Sequence, residues 1–115
     1  MILVVDDDQH IRTALSNLLA EEGYKVACSA NGREALDLIR AGSRPCMIFL
    51  DLMMPIMDGF AFLDAQDSDP KLAPIPVVVI TAGGLTGVVR GRTVMSKPLK
   101  AERLLEAAER YCSSV

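Results

Sequence analysis

Three short stretches of the chain are continuously apolar, and longer stretches with a different repeat lie between them. The apolar stretches are residues 2–5, 46–50 and 77–80. Runs of this length that are rich in β-branched residues are typical of strands buried on both faces of a parallel sheet. The pattern therefore predicts three inner strands.

The intervening segments repeat their apolar positions every three or four residues, as amphipathic helices do. Asn31 is a good capping residue for a second helix, which Gly42 can close, and a last helix is predicted over roughly residues 99–112. The first helix has its apolar positions at Ile11, Ala14, Leu15, Leu18 and Leu19. Strands and helices thus alternate along the chain.

Two further segments, 24–29 and 93–96, mix polar with apolar residues, which predicts edge strands. Right-handed crossovers then place the five parallel strands in the order 2-1-3-4-5. We therefore predict an α/β fold, a flavodoxin-like three-layer sandwich.

Length and charge narrow the class of protein. The 115 residues fit one domain, residues 1–115, and 12 basic against 15 acidic residues leave a net charge of -3. Such a surface has no general electrostatic reason to bind nucleic acid or an anionic membrane. No apolar run approaches the roughly 18 residues of a membrane span, and residue 1 leads into the first strand without a signal-peptide pattern. We expect a cytoplasmic protein with neither kind of partner.

Three cysteines, Cys28, Cys46 and Cys112, occur singly and without the CxxC spacing of a metal or redox site. The pattern predicts buried free thiols.

Polar side chains follow the strands at the point where each one ends. Because the carboxyl ends of parallel strands meet at one edge of the sheet, they should converge there. Carboxylates about 4 Å apart repel by about 4 kcal/mol at an effective dielectric constant of about 20, so the cluster should either take up protons or recruit a cation. Oxygen ligands without nearby His or Cys favour Mg²⁺. The residues concerned are Asp6, Asp7, Asp8, Asp51, Thr81 and Lys97. Asp8 fits better as the cap of the first helix.

Four sequence blocks occur in order along the chain: ILVVDD at 2–7, LDLMMPIMDG at 50–59, VVVITA at 77–82 and SKPL at 96–99. The resemblance of these blocks is to the receiver domains of two-component response regulators. It covers essentially the whole chain and implies a signalling module with no output domain and only autocatalytic phosphorylation and dephosphorylation. The implied partner is a sensor histidine kinase or phosphotransfer protein; a homodimer is also compatible.

The resemblance also implies individual roles. Asp51 would accept the phosphoryl group. Lys97 would contact that group through its side chain, and the peptide bond between Lys97 and Pro98 would be cis. Thr81 would bind the phosphoryl group and report its arrival. The implied Mg²⁺ ligands are Asp6, largely through water, then Asp7, Asp51 and the backbone carbonyl of Met53.

Two features depart from the family pattern. Only fifteen residues, 82–96, separate Thr81 from Lys97, and four of the eleven residues 83–93 are glycines. We therefore expect the fourth helix to be shortened or missing. Val94 stands where the family commonly has an aromatic residue, which weakens the usual output route.

Two other functions remain open from the sequence. A degenerate receiver would act as a non-switching interaction or dimerisation scaffold. A phosphatase of the haloacid dehalogenase type would also use a strand-end Asp and Mg²⁺, but its second Asp would lie at position 53, which is Met53.

Overall fold

Strands and helices alternate along the computed structural model, which describes residues 1–82 and 87–112. The order is β1 (Ile2–Val5), α1 (Gln9–Glu21), β2 (Val26–Ser29), α2 (Gly32–Arg40), β3 (Met47–Asp51), α3 (Gly59–Asp67), β4 (Val77–Thr81), β5 (Val88–Val89), β6 (Arg92–Ser96) and α4 (Ala101–Tyr111). No helix in these ranges combines the length and the apolar character needed to cross a membrane.

One sheet has the strand order β2-β1-β3-β4-β6-β5. Five of its strands are parallel, in the predicted order, so the flavodoxin-like prediction is confirmed. Asp51 pairs with Ile80 across β3 and β4, and Thr81 pairs with Ser96 across β4 and β6. This register brings the carboxyl ends of the inner strands to one edge.

The last parallel strand is not an edge strand, so that prediction was wrong. β5 pairs antiparallel with β6 and covers it. The two residues between them, Arg90 and Gly91, have φ values of 48° and 82°. A two-residue turn with positive φ at both positions suits the twist of a hairpin.

This hairpin occupies the region where a fourth helix was predicted to be shortened or missing. The described residues between Thr81 and Lys97 contain no helix, and residues 83–86 lie outside the described part. Arginines of the hairpin hold it to α3. Arg92 donates to Gln66 Oε1 at 2.8 Å and to Asp67 Oδ1 at 2.6 Å. Arg90 pairs with Asp64 and lies 5.4 Å from the ring centre of Phe60.

Two apolar layers cover the faces of the sheet. On one face, α2 and α3 pack over residues such as Leu3, Leu50 and Val79. On the other, α1 and α4 pack over residues such as Val4, Phe49 and Ile80. Neighbouring residues of each inner strand thus point to opposite layers, which explains why these strands are apolar throughout.

The first two helices have local caps at the predicted places. The side chain of Asp8 accepts the N–H of His10 at 2.8 Å and caps α1. Asn31 accepts the N–H of Glu34 at 2.9 Å and begins α2. Gly42 follows α2 with a φ of 115°, a conformation that glycine adopts without steric cost.

The cysteines differ from the prediction of buried free thiols. Cys46 and Cys112 form a disulfide, and Cys28 is exposed. Nothing local indicates this pairing, because the two cysteines are 66 positions apart and meet only through the fold.

Candidate functional site

The predicted site residues meet at the carboxyl edge of the sheet. Asp6 follows β1, Asp51 ends β3, Thr81 ends β4 and Lys97 follows β6. Asp6, Asp51 and Thr81 are buried, with exposed fractions of 1%, 4% and 4%. Asp7 is exposed. The buried groups belong to the rigid strand ends, and the exposed acid faces solvent.

Three carboxylates form a compact cluster. Asp6, Asp7 and Asp51 each offer one oxygen, and these atoms lie within 4.8 Å of one another. Asp8 is outside this cluster and caps α1, as the sequence indicated.

Lys97 brings a positive charge to two of these acids. Its Nζ atom lies 3.1 Å from Asp6 Oδ2 and 3.8 Å from Asp51 Oδ1. Its backbone N–H donates to the carbonyl oxygen of Thr81 at 2.8 Å, which ties the loop after β6 to the end of β4. The predicted cis bond between Lys97 and Pro98 is present.

Asp6 is held by groups on both sides. Its Oδ1 accepts the N–H of Asp8 at 2.9 Å, and Arg12 Nη1 donates to its carbonyl oxygen at 2.8 Å. The sequence analysis did not identify Arg12 as a residue of the site. The one sequence feature that could have pointed to it is its position in the first turn of α1, directly after the acids. Asp6 Oδ2 is buried and accepts no hydrogen bond from the described residues, although Lys97 lies within ion-pair distance.

Asp51 has an unusual affinity for protons. Burial, followed by the charge of Asp6, raises its pKa to about 6, while Lys97 and the backbone N–H of Met53 act in the opposite direction. Above neutral pH the carboxylate is ionised, which a nucleophile requires. The ionised carboxylate is also poorly solvated, so a bound cation can compensate its charge.

The turn after β3 passes very close to Asp51. Gly59 begins α3, and a Cβ atom there would lie 2.5 Å from the carbonyl oxygen of Asp51 and 2.7 Å from the Cα atom of Leu52. The Gly59 N–H donates to the Leu52 carbonyl at 2.9 Å. Only glycine permits this approach, so Gly59 helps to place Asp51. The role of the Met53 carbonyl as a metal ligand stays a prediction.

These groups fit a hard divalent cation. Two carboxylates are buried, one is exposed, and a buried oxygen of Asp6 accepts no hydrogen bond from residues 1–82 and 87–112. Oxygen donors with an open, solvent-facing side match Mg²⁺, which retains several waters in proteins.

Comparisons with known proteins agree with the fold. A family model described as the response regulator receiver domain matches residues 2–109. The response regulator Rre1 of Synechocystis sp. is 37% identical over 87 residues, which are 75% of this chain and 37% of that protein. The chain thus spans well under half of that relative. Sporulation initiation phosphotransferase F of Bacillus subtilis is 31% identical over 116 residues, covering 96% of this chain and 91% of that protein.

A solved structure supports the fold. The receiver domain of the sensor histidine kinase PA1611 of Pseudomonas aeruginosa has a TM-score of 0.84 at 24% identity, covering 96% of this chain and 94% of that one, and a magnesium ion is coordinated in its active-site cleft. Receiver domains are signalling modules that bind Mg²⁺ at an acidic site and interact with histidine kinases or phosphotransfer proteins. Since the family model matches nearly the whole chain and the hallmark acids and lysine lie together, this chain belongs to the response regulator receiver domains of two-component signalling.

Proposed function

We propose that the chain accepts a phosphoryl group on Asp51 from the phosphohistidine of a sensor histidine kinase or phosphotransfer protein. The proposal rests on the buried carboxylate of Asp51, which ends β3 and lies beside two further acids and the Lys97 ammonium. This arrangement combines a nucleophile with positive charge for the group being transferred.

In this transfer a carboxylate oxygen of Asp51 attacks phosphorus. The P–O bond forms as the P–N bond to the donor histidine breaks, and the imidazole keeps the bonding electrons and takes a proton from solvent. Lys97, already 3.8 Å from Asp51 Oδ1, balances negative charge on the phosphoryl oxygens. The Thr81 hydroxyl, at the adjacent strand end, donates to one of these oxygens and reports the arrival of the group.

Asp6, Asp7, Asp51 and the backbone carbonyl of Met53 would hold Mg²⁺, with Asp6 acting largely through water. When bound, the ion supplies positive charge that offsets the repulsion between carboxylates and phosphoryl oxygens. The chain's own part is to keep Asp6 and Asp51 fixed on strand ends and to leave Asp7 open to solvent.

Phosphorylation would then switch the affinity for a partner, in the cytoplasm where the donor domain of a kinase lies. The complete set of acids, threonine and lysine at the strand ends favours this function over a non-switching scaffold. A phosphatase of the haloacid dehalogenase type is disfavoured because position 53 is a methionine and offers no acid.

The test is intact mass after incubation with acetyl phosphate and Mg²⁺, with and without EDTA. We expect a gain of one phosphoryl group that requires Mg²⁺ and is lost in Asp51→Asn. Asp37→Asn, which removes an exposed acid from α2, is the matched control and should label normally. Equal labelling of wild type and Asp51→Asn would assign the phosphoacceptor elsewhere, and no labelling of folded wild type would favour the scaffold.

A further inference from the structure

Cys46 and Cys112 join two distant parts of the fold at the edge of the sheet opposite to Asp51. Cys46 precedes β3, and Cys112 follows α4 as its C-cap residue. Their sulfurs are bonded and their Cα atoms are 5.5 Å apart, across 66 positions of sequence. That Cα separation is typical of disulfides, so the bond requires no backbone movement.

The backbone around each cysteine is held without the disulfide. The Cys46 N–H donates to the carbonyl oxygen of Met1 at 2.8 Å, and the Cys112 N–H donates to that of Ala108 at 2.7 Å. Cys112 is 6% exposed within the layer under α1 and α4, and Cys46 packs against the same layer. Free cysteines pack as small apolar residues, so two thiols would occupy the same places.

Access to the pair is one-sided. Cys46 is half-buried, whereas Cys112 is buried. A small disulfide-bonded oxidant can therefore reach Cys46, and the resulting mixed disulfide is positioned for attack by Cys112. The third cysteine, Cys28, is exposed on β2 and lies 3.0 Å from the Ser16 hydroxyl, so it takes no part in the pair.

We propose that Cys46 and Cys112 form a reversible redox site that locks the end of α4 to the start of β3. The two thiols lose two protons and two electrons as the S–S bond forms, and a small-molecule disulfide takes them up and becomes two thiols. In a reducing compartment the pair rests as a dithiol, and it closes when the disulfide fraction of the thiol pool rises.

Closure should stabilise the domain without altering its phosphoryl site. A cross-link across a long loop restricts the unfolded chain and lowers its equilibrium population by a hundredfold or more. Asp51 lies at the carboxyl end of β3 and Cys46 precedes its amino end, so the acids at the opposite edge keep their positions. The redox site is therefore independent of the proposed phosphorylation.

The experiment equilibrates the whole chain in glutathione buffers of graded redox potential and counts thiols by alkylation and intact mass. We expect two thiols to disappear together, with a mass loss of two hydrogen atoms and no glutathione adduct on the pair. The melting temperature of the oxidised form should exceed that of the dithiol by about 10 °C. Cys28→Ser should behave as wild type, while Cys46→Ser and Cys112→Ala should lose both effects.

Three free thiols in every buffer, or oxidation that leaves the melting temperature unchanged, would overturn the proposal. Thiol counting on the wild type decides this even where a Cys112 variant fails to fold. Labelling with acetyl phosphate in both redox states separates the two proposals, because we expect rates within about twofold of each other. A rate that falls on oxidation would overturn the independence of the two sites.

Discussion

Lys97 Nζ lies 3.1 Å from Asp6 Oδ2, closer than it lies to the proposed phosphoacceptor. The lysine therefore neutralises part of the acidic cluster before any cation or phosphoryl group arrives. It competes with Mg²⁺ for the same negative charge, because like charges close together repel.

This competition predicts the effect of Lys97→Ala on metal binding. We expect the Kd for Mg²⁺ to stay within about threefold of the wild-type value or to become lower, since a repelling charge is removed. The variant should also lose the conformational change that phosphorylation of Asp51 produces. Calorimetric titration with Mg²⁺ measures the first effect. Amide exchange with and without a beryllofluoride adduct at Asp51, in the absence of any partner, measures the second.

Lys100→Ala is the control for this variant, because Lys100 is exposed and only three positions away. It should leave both measurements unchanged. Loss of Mg²⁺ binding in Lys97→Ala alone would show that the lysine holds the acids in place.

The raised pKa of Asp51 predicts a pH-dependent gain in stability for Asp51→Asn. Because burial raises the folded pKa to about 6 from 3.8, the native wild type binds this proton more tightly than the unfolded chain does. The stability of the wild type therefore falls as the pH rises from about 4 to about 6, and the loss persists above that range. In EDTA at pH 7.5, Asp51→Asn should be more stable by on the order of 2 kcal/mol.

Urea unfolding at several pH values checks this. The difference between the variant and the wild type should shrink as the pH falls from about 6, and it should approach zero well below pH 3.8, where the Asp51 side chain is protonated in both the folded and the unfolded wild type. A difference that does not vary with pH would mean that Asp51 is not the group responsible. Saturating Mg²⁺ should stabilise the wild type and not the variant.

The close approach of Gly59 to β3 predicts a coupled loss of stability and metal binding in Gly59→Ala. The added methyl group would meet the Asp51 carbonyl oxygen at 2.5 Å, and because that atom belongs to the backbone, the strand end must shift. We expect a cost of about 1–3 kcal/mol in the free energy of unfolding and a weaker affinity for Mg²⁺.

Ala61→Gly is the matched control, because Ala61 lies on the same helix as Gly59 and the substitution changes only the helix propensity of α3. It should cost less than about 1 kcal/mol and leave the Kd for Mg²⁺ unchanged. Normal Mg²⁺ binding in Gly59→Ala would show that α3 can move without displacing Asp51.

The arginine contacts of the hairpin predict that Arg92→Gln destabilises the domain. Arg92 is only 14% exposed and bonds both carboxylate oxygens of Asp67, and this hydrogen bonding lowers the pKa of Asp67. Bidentate, charge-assisted hydrogen bonds are stronger than exposed ion pairs. We expect a loss of about 1–2 kcal/mol, measured by urea unfolding.

Arg33→Gln provides the comparison. Arg33 and Asp37 are 4.0 Å apart, with side chains 71% and 68% exposed, so the change should cost less than about 0.5 kcal/mol. Equal effects of the two substitutions would mean that the hairpin is held by the sheet and not by its arginines.

Much of the site could be predicted from the sequence because its residues are tied to local patterns. Short apolar runs indicate buried strands, and the strand ends of a parallel sheet meet at one edge whatever the details of packing. Asp6, Asp51 and Thr81 each follow or end such a run, and Lys97 follows the mixed segment 93–96, so their convergence followed from topology. The caps Asp8 and Asn31 were visible for the same reason, since capping involves neighbours in sequence.

Only the tertiary structure decided the features that depend on distant segments. β5 is two residues long and too short to show an alternating pattern, so the hairpin and its contacts with α3 were not apparent. The Cys46–Cys112 bond, the contact from Arg12 to Asp6 and the raised pKa of Asp51 all depend on how the chain packs around them. The periodicity of a sequence determines which elements form, whereas distances, burial and charge pairing arise only when those elements come together.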